Sequence, residues 1–340
     1  MSSVRIRAVV VSHAPREHLA PCLASLDREG LDTIVVDNGS AGAEVRRIVR
    51  RIASTHERCR VVRSDRNLGF AAGANAGIEA ARAGTPAGEP ADRSWLLLLN
   101  DDAELVPGFA DAARRAIVTN LDVGLFSALR LRHADPGRID SAGLELVSGG
   151  GVRDWLADES VDRAPLAPVE ILGPSGGAAL YRADVLERLG GFEPSFFAFF
   201  EDVDLALRAR AAGERALLIP DARVLHRGGA TARTRRYRRL VWLERNRVRL
   251  GIRHFPALGL AGRSASRPPT PRLVGGGSGL PGALALLAHA EAWLRALLRA
   301  PSDLRWRSKR LQPIVVTEIA RWRAAPAYTL DGRPVWTARE

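Results

Sequence analysis

At 340 residues and 46% hydrophobic content, the chain can bury one large domain with an appendage, or two modest domains. That sets aside a disordered or fibrous protein. Two cysteines, Cys22 and Cys59, exclude a disulfide framework and a cysteine metal site and fit a reducing compartment; no stretch has the uninterrupted apolar length of a membrane span. The formal charge of +12 invites an anionic partner, but Lys309 is the only lysine, so a uniform arginine bias accounts for much of it.

The first residues, Met1-Ser2-Ser3-Val4-Arg5, lack the apolar run of a signal peptide and lead into a strand over 7–12. A helix follows over 16–27, with apolar residues at Leu19, Cys22, Leu23 and Leu26. Strands are expected over 33–36 and 59–62 and a helix over 44–53. The segment from Asn67 to Gly77 opens a helix that ends near Ala83, and a Gly/Pro loop fills 84–93. Leu96-Leu97-Leu98-Leu99 is an unbroken apolar run, as in a strand buried on both faces, and it stops at Asn100-Asp101-Asp102. Strand and helix thus alternate from the start, which predicts a parallel sheet with helices on both faces.

The second half is more mixed. A strand is expected over 123–131, a loop-rich stretch over 135–168, and a turn opening into a strand over 173–180. A short helix over 184–189 is closed by Gly190-Gly191. A phenylalanine cluster, Phe196 to Phe200, precedes Glu201-Asp202-Val203-Asp204 and a helix ending at Gly213. A strand over 216–219 and His226-Arg227-Gly228-Gly229 close the block. Residues 235–253 are dense in arginine, 264–282 read as a flexible linker, and 284–298 form an amphipathic helix too polar to span a bilayer but suited to lying on one.

Three strands of a parallel sheet end in polar clusters: Ser12-His13, Asp37-Asn38 and Asp101-Asp102. Such ends share one edge, where open α/β folds bind ligands. Two adjacent carboxylates repel and call for a cation, and a hard divalent metal bridging phosphates is the natural one. Each cluster alone also reads as a turn or cap. Gly69, Gly73 and Gly77 do not fit a dinucleotide fingerprint, and their spacing points to close helix–sheet packing; no P-loop occurs. The acids at 201, 202 and 204 suit a first helical turn, but beside Phe197, Phe199 and Phe200 a carboxylate should have its pKa raised, as a general base requires. His226 reads as a core histidine or as a metal ligand placed to join Asp102.

Taken in order, these blocks resemble the inverting family 2 glycosyltransferases of the GT-A fold, in particular the bacterial rhamnosyltransferase-like branch. The matching stretches are Val-Val-Asp-Asn-Gly-Ser at 35–40, Asn-Leu-Gly-Phe-x-x-Gly-x-Asn-x-Gly at 67–77, Leu-Leu-Asn-Asp-Asp at 98–102, Gly-Gly-Phe at 190–192, Phe-Phe-x-x-x-Glu-Asp-x-Asp-Leu at 196–205 and His-x-Gly-Gly at 226–229. The resemblance covers roughly residues 5–255. It implies that Asp37 contacts the base or ribose of a nucleotide sugar, with Ser12, His13 and Asn67 nearby, and that Asp101 holds the ribose. It assigns Asp102 and His226 to Mg²⁺ or Mn²⁺, Asp202 to the base that deprotonates the acceptor, with Glu201 as its neighbour, and Gly176, Gly177 and Phe197 to the acceptor or sugar pocket. One departure stands out: the family's D-x-D reads Asn100-Asp101-Asp102, so its first acid is an amide.

The expectation is therefore an α/β GT-A catalytic domain over 1–255, a linker over 256–283 and an amphipathic helical region over 284–340 that meets a membrane surface or a partner. The expected activity is transfer of a sugar, L-rhamnose first, from a dTDP- or UDP-sugar to a glycan or polyprenyl-diphosphate-linked saccharide in cell-surface glycan synthesis. The expected location is cytoplasmic, peripheral on the inner face of the cytoplasmic membrane, where anionic lipid attracts the arginines. The alternatives are a sugar-phosphate nucleotidyltransferase, which needs no aromatic-flanked base, and a basic nucleic-acid-binding protein. Acids at the strand ends repel nucleic-acid phosphate unless metal intervenes, so no nucleic-acid partner is expected. Oligomeric state is left open.

Overall fold

The structure, a computed structural model, describes residues 4–13, 17–84, 93–147, 151–228, 236–254, 282–310, 327–328 and 334–335. Its first half runs β1 (Arg5–Ser12), α1 (Leu19–Arg28), β2 (Asp32–Asn38), α2 (Ala43–Ser54), β3 (Cys59–Ser64), α3 (Gly69–Ala83), β4 (Ser94–Asn100), β5 (Ala103–Leu105) and α4 (Phe109–Thr119). The second half runs β6 (Val123–Arg132), β7 (Asp135–Ser141), β8 (Leu144–Val147), β9 (Gly151–Asp154), β10 (Val169–Glu170), β11 (Ala178–Arg182), α5 (Ala183–Leu189), α6 (Glu201–Ala211), β12 (Arg215–His226), α7 (Arg236–His254) and α8 (Gly282–Arg310).

β4 lies near the middle of a sheet ordered β10-β12-β6-β11-β4-β1-β2-β3. Its alternate side chains enter opposite layers, because successive residues of a strand face opposite ways. Leu97 and Leu99 pack with Leu19 and Leu23 of α1 and Phe109 and Ala113 of α4; Leu96 and Leu98 pack with Ala71 and Ala74 of α3 and Leu186 of α5. Each leucine is at most 4% exposed, and burying such a side chain contributes about 1.5–3 kcal/mol. β1, β2, β3 and β4 pair in parallel, as the alternation predicts. β11 runs antiparallel to both β4 and β6, and so joins this half to a second parallel pair, β6 and β12.

The glycines of α3 let the helix sit on the sheet. A Cβ on Gly73 would fall 2.8 Å from Val11 Cγ1, and one on Gly77 would fall 2.3 Å from Val9 Cγ1. They are packing glycines, as their spacing suggested.

Several elements differ from the expectation. The stretch 135–168 is not mainly loop: β7 pairs with β6, and β8 forms a hairpin with β9. β12 extends to His226 well beyond 219, through a break in register between Ile219 and Arg223 that contains Pro220, a residue with no N–H to give the ladder. β5, three residues long, is too short to show a period. The expected linker falls mostly on residues outside those described, as does Gly229; α8 contains the expected helix over 284–298.

The arginine-rich helix α7 is not a solvated face throughout. Arg249 and Arg253 are each 2% exposed and both bond Asp303 of α8, Arg249 through Nε and Nη2 at 2.8 and 2.9 Å and Arg253 through Nη1 at 3.0 Å. Asp204 of α6, fully buried, receives Arg208, Arg253 and His254 at 2.8–2.9 Å. Burial opposes its ionisation, but the Arg208 and Arg253 charges and the His254 bond hold its carboxyl well below the usual range.

Candidate active site

The acids at the end of β4 are placed by strand pairing. β1 and β2 run parallel with Ser12 opposite Asp37, so both end on the rim where β4 ends. Ser12 Oγ donates to Asp101 Oδ2 at 2.7 Å. Loss of water pushes the Asp101 carboxyl up to about 6, against the Ser12 bond and with the charge of Asp102. Asp37 is buried, and its Oδ1 accepts the Ser40 N–H at 3.1 Å, which shapes the turn after β2. His13 Nδ1 lies 2.9 Å from the Asn38 carbonyl. Asn38 is the hub of this side: its amide donates to Gly69 O, its oxygen accepts Leu68 N–H, and Asn67 Oδ1 accepts Gly69 N–H. Ser12, His13, Asp37, Asn67 and Asp101 thus share one rim.

His226 reaches that rim because β5, just after the acids, pairs antiparallel with the end of β12, His226 opposite Ala103. Its Nε2 lies 3.1 Å from Asp102 Oδ1, and its Nδ1 lies 2.9 Å from Asp140 Oδ2. Burial opposes charge on the ring, but the bonds to Asp102 and Asp140 raise its pKa. Asp140 also accepts Arg130 Nε at 2.9 Å, and Arg130 Nη1 donates to Ser175 Oγ at 3.1 Å. Although Asp140 is largely buried, Arg130 and His226 hold its carboxyl well below the usual range.

Asp102 and His226 fit a divalent cation as an open pair. With the ring neutral and its proton on Nδ1 toward the Asp140 carboxylate, Nε2 would be the nitrogen free to join Asp102 as a ligand. Mg²⁺ and Mn²⁺ commonly take one or two protein ligands and fill the rest with phosphate oxygens and water. Among the described residues no group of three or more His, Cys, Asp or Glu side chains has metal-holding geometry. Asn100 supplies no third acid: its side-chain amide lies 3.3 Å from His226 Nε2.

Asp202 is tied to the same rim through the turn that leads into β11. The Asn100 N–H donates to Gly177 O at 3.2 Å, and the residue before it, Gly176, donates its N–H to Asp202 Oδ2 at 2.8 Å. Asp202 Oδ1 accepts Val203 N–H at 2.8 Å. Burial nevertheless raises its pKa. Gly177 must be small, because a Cβ there would sit 2.2 Å from Arg130 Nη1. Glu201 is 6% exposed, and its Oε2 has no hydrogen-bond partner among the described residues. Burial and the Asp202 charge push it up to about 8, so it is neutral near pH 7 and suited to shaping the field around Asp202 rather than accepting a proton.

The loop before Asp202 is strained. Phe197, Phe199 and Phe200 have φ of 68°, 69° and 67°, and the Ala198 N–H closes a tight turn on Phe196 O at 2.9 Å. Left-handed non-glycine residues cost about 1–3 kcal/mol each and cluster at functional sites. Asn246 of α7, fully buried, holds the loop: its Nδ2 lies 2.9, 2.9 and 2.7 Å from the carbonyl oxygens of Phe196, Ala198 and Phe199. The Phe197 ring stacks on Trp242 at 4.8 Å, and its carbonyl accepts Ala71 N–H at 3.2 Å, so this phenylalanine braces the loop against both α7 and α3.

Sequence reasoning missed Asp140, Arg130 and Asn246. Asp140 lay in a stretch read as loop, and Asn246 is one amide among arginines, with no periodic signal. Both cysteines are free, and burial raises the thiol pKa of Cys22 strongly and that of Cys59 to about 11, which disfavours the reactive thiolate.

A mixed, mainly parallel α/β sheet with helices on both faces and acids at its carboxyl edge is the architecture of the GT-A transferases. The chain belongs to glycosyl transferase family 2, whose sequence model matches residues 8–190, more than half of its length. It is 28% identical over 233 residues to an N-acetylglucosaminyl-diphospho-decaprenol L-rhamnosyltransferase of Mycobacterium tuberculosis, covering 64% of this chain and 74% of that one. Two solved structures share the fold. S. aureus TarS 1-349 superposes with a TM-score of 0.50 at 13% identity, covering 93% of this chain and 91% of that one. GalNAc-T7 with UDP, GalNAc and Mn²⁺ gives a TM-score of 0.52 at 15% identity over 65% of this chain, which spans only 43% of that one.

Proposed function

We propose that this glycosyltransferase moves a sugar, L-rhamnose first among candidates, from a dTDP- or UDP-sugar to a saccharide carried on a polyprenyl diphosphate, with inversion at the anomeric carbon. One observation carries the reading: Asp202 is joined to the Asn100-Asp101-Asp102 edge by adjacent backbone bonds through Gly176 and Gly177. A raised-pKa carboxylate therefore stands beside a nucleotide-type rim. The similarity to the mycobacterial rhamnosyltransferase supports the sugar and the lipid-linked acceptor.

In this reading Asp101, Ser12 and Asp37 receive the nucleoside, and Asp102 and His226 hold Mg²⁺ or Mn²⁺. The cation supplies charge neutralisation at the diphosphate leaving group. Asp202 takes the proton of the acceptor hydroxyl as that oxygen bonds the anomeric carbon and the bond to the diphosphate oxygen breaks. Attack opposite the leaving group inverts the centre, as in inverting hydrolysis. Gly176 N–H orients the Asp202 oxygen for this transfer. The catalytic unit is assigned to residues 1–255, and a lipid-linked acceptor places the protein on the inner face of the cytoplasmic membrane.

The test is a panel of nucleotide sugars with Mg²⁺ and with Mn²⁺, read first by thermal shift and then by transfer to a prenyl-diphosphate-linked N-acetylglucosamine. Selective stabilisation by dTDP-rhamnose and release of nucleoside diphosphate are expected. Release of pyrophosphate instead would overturn the reading in favour of a nucleotidyltransferase.

A further inference from the structure

α8 is amphipathic in the opposite sense to an ordinary core helix. Its small residues Ala288, Ala292 and Ala296 are fully buried, packed against Val241, Val248 and Ile252 of α7. Six of its leucines face outward: Leu284 43%, Leu287 59%, Leu294 59%, Leu297 56%, Leu298 73% and Leu304 51% exposed. At 100° per residue, positions 287, 294 and 298 fall on the side of the helix opposite 288, 292 and 296. Six of the nine large apolar side chains exposed among the described residues lie on this one helix, so they form a patch rather than scatter. The inward face is fixed by Asp303, buried between Arg249 and Arg253, so the helix cannot roll to hide its leucines without breaking that cluster.

The polar residues around the patch are cationic. Arg295, Arg299 and Arg305 of α8 and Arg236 and Arg238 of α7 are exposed. The two acids of the described helix are both engaged: Glu291 with Tyr237 Oη and Arg295 at 2.7 Å each, and Asp303 in the interior. A second copy meeting this face symmetrically would bring like charges together. An anionic bilayer meets both demands, since leucines enter the acyl boundary while arginines reach the headgroups.

We propose that the leucine face of α8 is a membrane-docking surface that lies flat on anionic phospholipid. It extends the reading of a lipid-linked acceptor, and it supplies the surface on which such an acceptor is met.

The test uses the full chain and sedimentation with phosphatidylglycerol or phosphatidylcholine vesicles. The wild type is expected to sediment with the anionic vesicles and much less with the neutral ones. The triple variant Leu294→Gln, Leu297→Gln, Leu298→Gln should lose about tenfold or more of that partitioning, and Arg295→Gln with Arg299→Gln should reduce the anionic preference. All of these side chains are exposed, so melting temperature and nucleotide-sugar turnover with a water-soluble acceptor should stay at wild-type values. Equal vesicle binding by the leucine variant would overturn the proposal. So would a wild-type dimer that the leucine variant converts to monomer while neither binds vesicles. Vesicle binding without any sugar transfer would leave this surface standing and remove the proposed function; transfer without vesicle binding would do the reverse.

Discussion

Asn246 donates from its side-chain amide to the Phe199 carbonyl at 2.7 Å, three residues before Asp202, and so holds in place a loop that leads straight into the helix of the proposed base. The same nitrogen reaches two further carbonyls with only two hydrogens to give, so the three bonds share them. Asn246→Ala removes this clamp and lets Phe197, Phe199 and Phe200 relax toward ordinary backbone conformations. A shift of the base by an ångström costs roughly 100-fold in turnover. The expected result is a kcat loss of roughly 10- to 100-fold with donor KM little changed. Steady-state kinetics against donor and acceptor separately will show it.

Asp202→Asn keeps the shape of the side chain and removes its ability to accept a proton. Transfer should fall by roughly 100- to 10,000-fold, the usual contribution of a positioned base, while calorimetric donor binding stays near wild type. Because burial raises the Asp202 pKa, the acid limb of the wild-type kcat/KM profile should lie above the ordinary aspartate range. Wild-type turnover by the variant would remove the assignment.

Asp102→Ala and His226→Ala should each abolish the part of nucleotide affinity that depends on Mg²⁺ or Mn²⁺ and leave the metal-free part unchanged. Asp140→Asn acts one step further back, by releasing the ring of His226, and should weaken metal-dependent binding by about 10- to 100-fold. Nucleotide titrations with and without chelator separate these effects.

Glu201 gives a pH signature in stability. Its folded-state pKa, about 8, lies above its ordinary value of 4.5, so the folded protein binds the extra proton between these values. Stability from this group is complete below about pH 4.5 and is lost as pH rises through 8. Glu201→Gln is neutral throughout. Its melting temperature should therefore gain on the wild type as pH is raised across that window, with no such gain at lower pH.

The part of the fold built from local pattern was legible. Four leucines in a row could only be buried on both faces, and the acids after them had to stand at the sheet edge. What could not be read was long-range pairing. The leucine strand has an antiparallel neighbour, β11, that no local period announces. Asp140 and Arg130 belong to the site only because β6 and β7 pair beneath it. The stretch over 235–253 shows only that arginine is dense there, yet two of these arginines are interior because their partner, Asp303, lies some fifty residues further on. Composition reports how many charges a helix carries, and only the fold says which of them water sees.

The Asp303 cluster also sets a lower limit on how short a working chain can be. Ending the chain at residue 255 would keep every side chain assigned here to nucleotide, cation or proton. It would also take Asp303 away from Arg249 and Arg253, on the helix that carries Asn246. A chain ended at 255 is therefore expected to lose activity through a residue that meets no substrate, because the cut removes support from the helix that holds the loop before the proposed base.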